Sequence, residues 1–252
     1  MAREILSQSS CCVGWAGGRP RAIRVMRILQ ESPRVRTLIL ETRIEAQPGQ
    51  FVMVWLPGYE EKPFSLADAD PVTLTVARVG PFSTALHALH PGDQLWIRGP
   101  LGCGFTIEGR RILLVGGGYG VAPLAFLARE AIARGIQVTA LTAARRAEDV
   151  LYRDRFRALG ASVVVATEDG SAGEPGRAPE VAARVLRSGS YDALYGCGPE
   201  GMLEGLRALA AAFGIPAQLS YEAFMRCGIG LCGSCEREGV VLCLEGPVLR
   251  FE

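Results

Sequence analysis

Residues 111–135 read RILLVGGGYGVAPLAFLAREAIARG. The run 111–115 is short and almost continuously apolar, the pattern of a strand buried on both faces of a parallel sheet. It enters Gly116, Gly117, Gly118 and Gly120, and a helical pattern follows with Pro123 in its first turn. Strand, glycine turn and helix form the setting of a dinucleotide site. The glycines let a pyrophosphate approach the backbone, and the helix N-terminus favours its charge.

Further along, the pattern repeats. QVTALTA, SVVVAT and DALYGCG read as strands. DVLYRDRFRALG, APEVAARVLRSG and PEGMLEGLRALAAAFG read as helices. Alternation of this length predicts a doubly wound α/β domain with a parallel sheet. Ligands of such sheets sit beyond the C-terminal strand ends. Those ends fall at residues 116–120, 143–146, 167–173 and at Cys197, Gly198 and Pro199. The acid that often ends the second strand is replaced by Arg145 and Arg146, which leaves NAD and NADP both open.

Before the glycine turn, residues 22–98 read as β structure. AIRVMRILQ, RVRTLILET, QFVMVWLP, VTLTVARV and DQLWIRG are rich in β-branched and aromatic residues, with Pro-Gly and Asp-Pro turns between them. They predict a small antiparallel barrel or sandwich. Lys62-Pro63-Phe64-Ser65 is predicted at an edge or mouth, because Pro63 cannot donate to a ladder. Gly80-Pro81-Phe82-Ser83-Thr84 opens a helix, where Ser83 and Thr84 with first-turn N–H groups suit an anion or simply cap the helix. His87 and His90 follow without a completing acid or cysteine and read as structural or surface residues.

The tail, MRCGIGLCGSCEREGVVLC at residues 225–243, carries Cys227, Cys232, Cys235 and Cys243 spaced C-x4-C-x2-C-x7-C. The first three match the plant-type ferredoxin spacing for a [2Fe–2S] cluster. Gly228, Gly230 and Gly233 permit the positive φ a wrapping loop needs. A four-cysteine zinc site is the rival, although zinc ribbons usually pair two C-x2-C knuckles and only one is present. Disulfides suit short secreted chains rather than this one.

Bulk properties narrow the class. With 252 residues, 49% hydrophobic content and a net charge of +1, the chain suits two packed domains and lacks the basic surplus of a nucleic-acid binder. No apolar run reaches the roughly 18 residues of a membrane span. Residues 1–20 have no signal-peptide pattern and read as a poorly ordered extension in which Cys11 and Cys12 are incidental. Thiols and a cluster together point to the cytoplasm.

Taken together, these segments resemble the ferredoxin–NADP reductase superfamily, and within it the electron-transfer subunits of class B dihydroorotate dehydrogenases. The motifs that carry the resemblance are Lys62-Pro63-Phe64-Ser65, residues 80–84, 99–102 and 116–123, Glu168-Asp169-Gly170-Ser171, Cys197-Gly198-Pro199, and the cysteine tail with its Gly246-Pro247-Val248. The resemblance implies FAD on the barrel, packed by Pro63 and Phe64, hydrogen-bonded by Ser65 and paired in charge by Lys62. Lys62 stands where the family's usual Arg would offer a bidentate fork. It implies phosphate contacts at Gly80, Ser83 and Thr84, and NAD(H) at Gly116, Gly117, Gly118, Gly120, Asp169, Cys197, Gly198 and Pro199. Ser65 and Cys197 then lie near flavin and nicotinamide at the domain cleft, and catalysis otherwise belongs to the cofactors. It also implies [2Fe–2S] on Cys227, Cys232, Cys235 and Cys243, and a partner FMN-containing dihydroorotate dehydrogenase in a heterotetramer. The seven residues between Cys235 and Cys243 make a shorter loop than the family's.

The expected organisation is an extension over 1–20, an antiparallel β-barrel flavin domain over 21–105, a doubly wound α/β nucleotide domain over 106–220 and a [2Fe–2S] subdomain over 221–252. Two other functions stay open: a reductase subunit of a hydrogenase or ferredoxin:NAD(P) complex, and a zinc-bearing nucleotide-sensing adaptor.

Overall fold

The computed structural model describes residues 18–252, so Cys11, Cys12 and most of the predicted extension lie outside the described residues. The chain forms two compact units. One contains the described residues up to Gly104 together with Ala223–Pro247, and the other Phe105–Glu222 with Val248–Glu252.

In the first unit, β1 (Arg21–Ser32), β2 (Val35–Leu40), β3 (Phe51–Trp55), β4 (Lys62–Ala69), β5 (Val72–Ala77) and β6 (Gln94–Leu101) close a barrel in the order β1-β2-β5-β4-β3-β6. Every pairing is antiparallel. Alternation sends Leu38, Leu40, Val52, Leu66, Leu74, Leu95 and Ile97 into a solvent-free core. Helix α1 (Pro81–His87) follows β5.

The predicted edge strand is not an edge of the barrel, since β4 lies between β5 and β3. Its two halves differ, however. Lys62, Pro63, Phe64 and Ser65 pair with Val54, Met53, Val52 and Phe51 of β3, whereas pairing to β5 begins only at Leu66. The first half therefore has one unpaired side, which is where a Pro is tolerated.

In the second unit, β7 (Arg111–Gly117), β8 (Gln137–Ala144), β9 (Ser162–Thr167), β10 (Glu174–Pro175), β11 (Ala193–Cys197) and β12 (Ala217–Ser220) run parallel in the order β10-β9-β8-β7-β11-β12. Helices α2 (Val121–Ala133), α3 (Arg153–Leu159), α4 (Ala178–Arg187) and α5 (Glu200–Phe213) alternate with them. Two features differ from the expectation. The helix expected over 149–160 is confined to α3, because Tyr152 is left-handed with φ 64° and no helix passes through such a residue. The sheet also gains strands that periodicity did not show: β12, and an antiparallel final strand added beside it.

Between those two strands the chain visits the other unit. A small hairpin, β13 (Glu236–Arg237) and β14 (Val240–Val241), leads to the single turn α6 (Leu242–Glu245). The chain then returns as β15 (Val248–Phe251), antiparallel to β12. Among the described residues no helix is long and apolar enough to cross a membrane.

Candidate functional site

The barrel brings several of the predicted flavin residues to one face. Phe64 lies 6.1 Å from Phe82, ring to ring, and Phe82 lies 5.9 Å from Tyr59. Lys62 pairs with Glu60 at 3.1 Å and stands 5.2 Å over the ring of Phe224. Ser83 is buried, and its hydroxyl accepts the N–H groups of Val79 (2.9 Å) and Gly80 (3.0 Å) at the start of α1. Thr84, the next residue of α1, is exposed. His87 bonds the carbonyl of Val76 at 2.8 Å. His90 does have an acid beside it, Asp93 at 3.7 Å, in a surface turn.

In the nucleotide unit, the glycine turn and the segment after β11 are brought into contact. A Cβ built on Gly120 would lie 2.4 Å from the carbonyl oxygen of Cys197, and one on Gly117 would lie 2.9 Å from Pro199 Cδ. Only hydrogen fits at either place. Gly118 is different: its φ is +55° and nothing lies within 4 Å of its Cβ position, so this backbone is open to a ligand. The fit to a pyrophosphate rests on that open turn at the start of α2.

Two residues that the sequence reading passed over join this end of the sheet. Tyr119 bonds Glu222, and Glu222 acts electrostatically on Cys197. Burial pushes the Cys197 thiol up to about 12, and the charge of Glu222 adds to the effect. The Tyr119 hydroxyl is also pushed up to about 12, by burial first and then by Glu222. Glu222 keeps an exposed face, yet the surrounding protein disfavours its charge and raises its own carboxyl pKa. No local sequence pattern links these residues; they meet only when the sheet forms.

The loop after β9 is latched by Thr167, whose hydroxyl donates to the carbonyl of Ala172 and accepts its N–H. Asp169 accepts from the hydroxyl (2.6 Å) and amide (2.9 Å) of Ser171, which lower its pKa. Arg146 is engaged by Glu148 at 2.9 Å and Asp149 at 3.3 Å.

The four tail cysteines converge as free thiols. Cys232 neighbours Cys227, and Cys243 neighbours Cys235 and also feels Cys227, so the four thiols form one cluster. Backbone N–H groups point at them: Gly230 to Cys243 (3.1 Å), Leu231 to Cys227 (3.3 Å), and Cys243 to Cys235 (3.4 Å). Gly228, Gly230 and Gly233 all take positive φ. Among the described residues no three or more His, Cys, Asp or Glu side chains are set to hold a single metal ion. Four neighbouring thiols, all soft donors, with amides directed at sulfur, fit an iron–sulfur group.

A family model described as an oxidoreductase NAD-binding domain matches residues 114–208. The chain is 45% identical to a probable dihydroorotate dehydrogenase B (NAD(+)), electron transfer subunit, of Methanothermobacter thermautotrophicus, over 91% of this chain and 88% of the relative. It is 39% identical to the protein of the same name from Methanocaldococcus jannaschii, over 91% and 89%. Among solved structures, the NADH-dependent reduced ferredoxin–NADP oxidoreductase, a flavin-based electron-bifurcating enzyme, superposes with a TM-score of 0.83 at 28% identity, covering 93% of this chain and 89% of that one. The barrel joined to a parallel nucleotide-binding sheet is thus a reductase fold, and the chain belongs to the family of dihydroorotate dehydrogenase B electron transfer subunits.

Proposed function

We propose that this protein is the electron-transfer subunit of a cytoplasmic NAD-linked dihydroorotate dehydrogenase of pyrimidine biosynthesis, working with an FMN-containing catalytic partner in a heterotetramer. The barrel takes FAD along Lys62, Pro63, Phe64 and Ser65, with its phosphates near Gly80, Ser83 and Thr84. The sheet takes NAD(H) over Gly116, Gly117, Gly118 and Gly120, flanked by Asp169, Cys197, Gly198 and Pro199. Cys227, Cys232, Cys235 and Cys243 hold [2Fe–2S] as a subdomain of its own within 221–252. When bound, a flavin exchanges a hydride with nicotinamide and single electrons with an iron–sulfur group.

The chain's own residues position and insulate. Ser65 offers a hydroxyl on the flavin strand itself. Cys197 stays protonated and uncharged at neutral pH. The carrying observation is the clustering of the four thiols, with backbone amides aimed at three of them. The structural likeness to a ferredoxin–NADP oxidoreductase favours a second reading, in which the partner is a ferredoxin-linked enzyme.

The test is an anaerobic absorbance titration of the purified protein with NADH, with iron and zinc assayed on the same sample. Flavin and iron–sulfur bands that bleach support the reading. A colourless protein containing zinc refutes it. Co-purification with a dihydroorotate-oxidising subunit, or with a ferredoxin-dependent one, decides between the two partners.

A further inference from the structure

One half-buried ion pair joins the flavin strand to the cysteine loop. Arg98 on β6 has only 11% of its side chain exposed, and Glu61, immediately before β4, has 23%. Arg98 Nε donates to Glu61 Oε1 at 3.0 Å and Oε2 at 2.9 Å, and Nη2 donates to Oε2 at 2.6 Å. The same Nη2 donates to the main-chain carbonyl of Cys227 at 2.7 Å.

The barrel register fixes this arrangement. Pro63, Met53 and Arg98 form one rung across β4, β3 and β6. Adjacent strands lie about 4.8 Å apart, which sets Arg98 about 10 Å from the flavin strand. Met53 supports the next residue of the loop, since a Cβ on Gly228 would lie 3.1 Å from Met53 Cγ. The first ligand residue and its neighbour thus rest on two side chains of a single rung.

Desolvation offsets much of the Coulomb gain of an ion pair held largely away from water, so stability is a weak account of this one. This one also spends an Arg donor on the carbonyl of a cluster ligand. An unbalanced guanidinium there would favour an added electron nearby, and Glu61 offsets that charge.

We infer that Arg98, clamped by Glu61, is a positioning residue for the iron–sulfur loop, fixing Cys227 against the flavin strand and setting the local charge that the cluster feels. The inference rests on the [2Fe–2S] reading above.

The experiment uses anaerobically purified holoprotein. It measures the cluster midpoint potential by EPR-monitored redox titration and the rate of iron loss to a chelator. Arg98→Gln is expected to lower the potential by about tenfold in the one-electron equilibrium, about 59 mV, and to speed iron loss. Glu61→Gln leaves Arg98 unbalanced and is expected to raise the potential. Arg98→Lys keeps the charge but loses the fork. It should hold the potential near that of the parent while iron is still lost faster.

Opposite signs for Arg98→Gln and Glu61→Gln are the signature, because simple loosening of the loop would move both variants the same way. Unmoved potentials, or shifts of one sign, overturn the inference. An Arg98→Lys variant with unchanged iron loss overturns its positioning half. If Arg98→Gln does not fold, Glu61→Gln and Arg98→Lys still give the test, since an unmoved or lowered Glu61→Gln potential overturns the inference. A parent protein without iron overturns the cluster reading instead, so the two failures are distinct.

Discussion

Cys197 shows how burial sets a residue's chemistry. Its thiol is held up to about 12 by burial and by Glu222, so it remains S–H at neutral pH and is a poor nucleophile. Iodoacetamide should leave Cys197 unlabelled in the native protein and label it fully in urea, as read by mass spectrometry of its peptide. Rapid native labelling would refute the buried site. Glu222 yields a pH prediction. Its folded pKa is raised, so the folded state holds that proton more tightly than the unfolded chain. The stability it adds is fully present below the ordinary carboxylate pKa of about 4.3 and is lost as pH rises through the raised value. Glu222→Gln should therefore match the parent in urea midpoint near pH 4 and exceed it near pH 7.5. Equal midpoints at both would show that the carboxyl is not perturbed.

At the scale of elements, the turn between β7 and α2 separates two kinds of glycine. Gly120→Ala drives a methyl to 2.4 Å from the carbonyl oxygen of Cys197, a backbone atom that cannot swing aside. A loss of about 2–3 kcal/mol in urea unfolding is expected. Gly118→Ala meets open space and only the left-handed penalty, about 1 kcal/mol. If the two variants lose the same amount, the close approach of turn and β11 is wrong. This turn was legible in the sequence because strand, glycines and helix are adjacent in the chain. So were the six barrel strands, which are rich in β-branched and aromatic residues and separated by Pro and Gly turns. The strands β12 and β15 were not, because four-residue segments such as AQLS and VLRF carry too little periodicity, and their pairing is set by distant partners. The clamp was equally hidden. Arg98 reads as one polar residue in a strand, and only barrel closure brings it to Glu61 and Cys227. The pairing of Tyr119 with Glu222 belongs to the same class.

At the scale of the molecule, the last strand holds more than its length suggests. Val248, Leu249 and Phe251 are buried, and Arg250 pairs with Glu108 at 2.6 Å. Ending the chain after Pro247 should cost on the order of 5 kcal/mol in lost burial, all from the nucleotide unit. Trp55 and Trp96, two of the chain's three tryptophans, lie 5.3 Å apart in the barrel and report the other unit. Far-UV dichroism should then unfold at lower urea than tryptophan fluorescence, whereas coincident curves would mean that the two units melt together. The same strand also determines how the cysteine lobe is spliced into the chain. Ser220 and Val248 face each other as direct partners in the β12–β15 ladder, while the intervening Ala223–Pro247 belong to the barrel unit. The lobe is in effect a cassette inserted at the mouth of a hairpin. A two-residue Asn-Gly turn from Ser220 to Val248 would close that hairpin without it, leaving the barrel and the nucleotide sheet in a chain from which the four-cysteine lobe has been cut by a single splice.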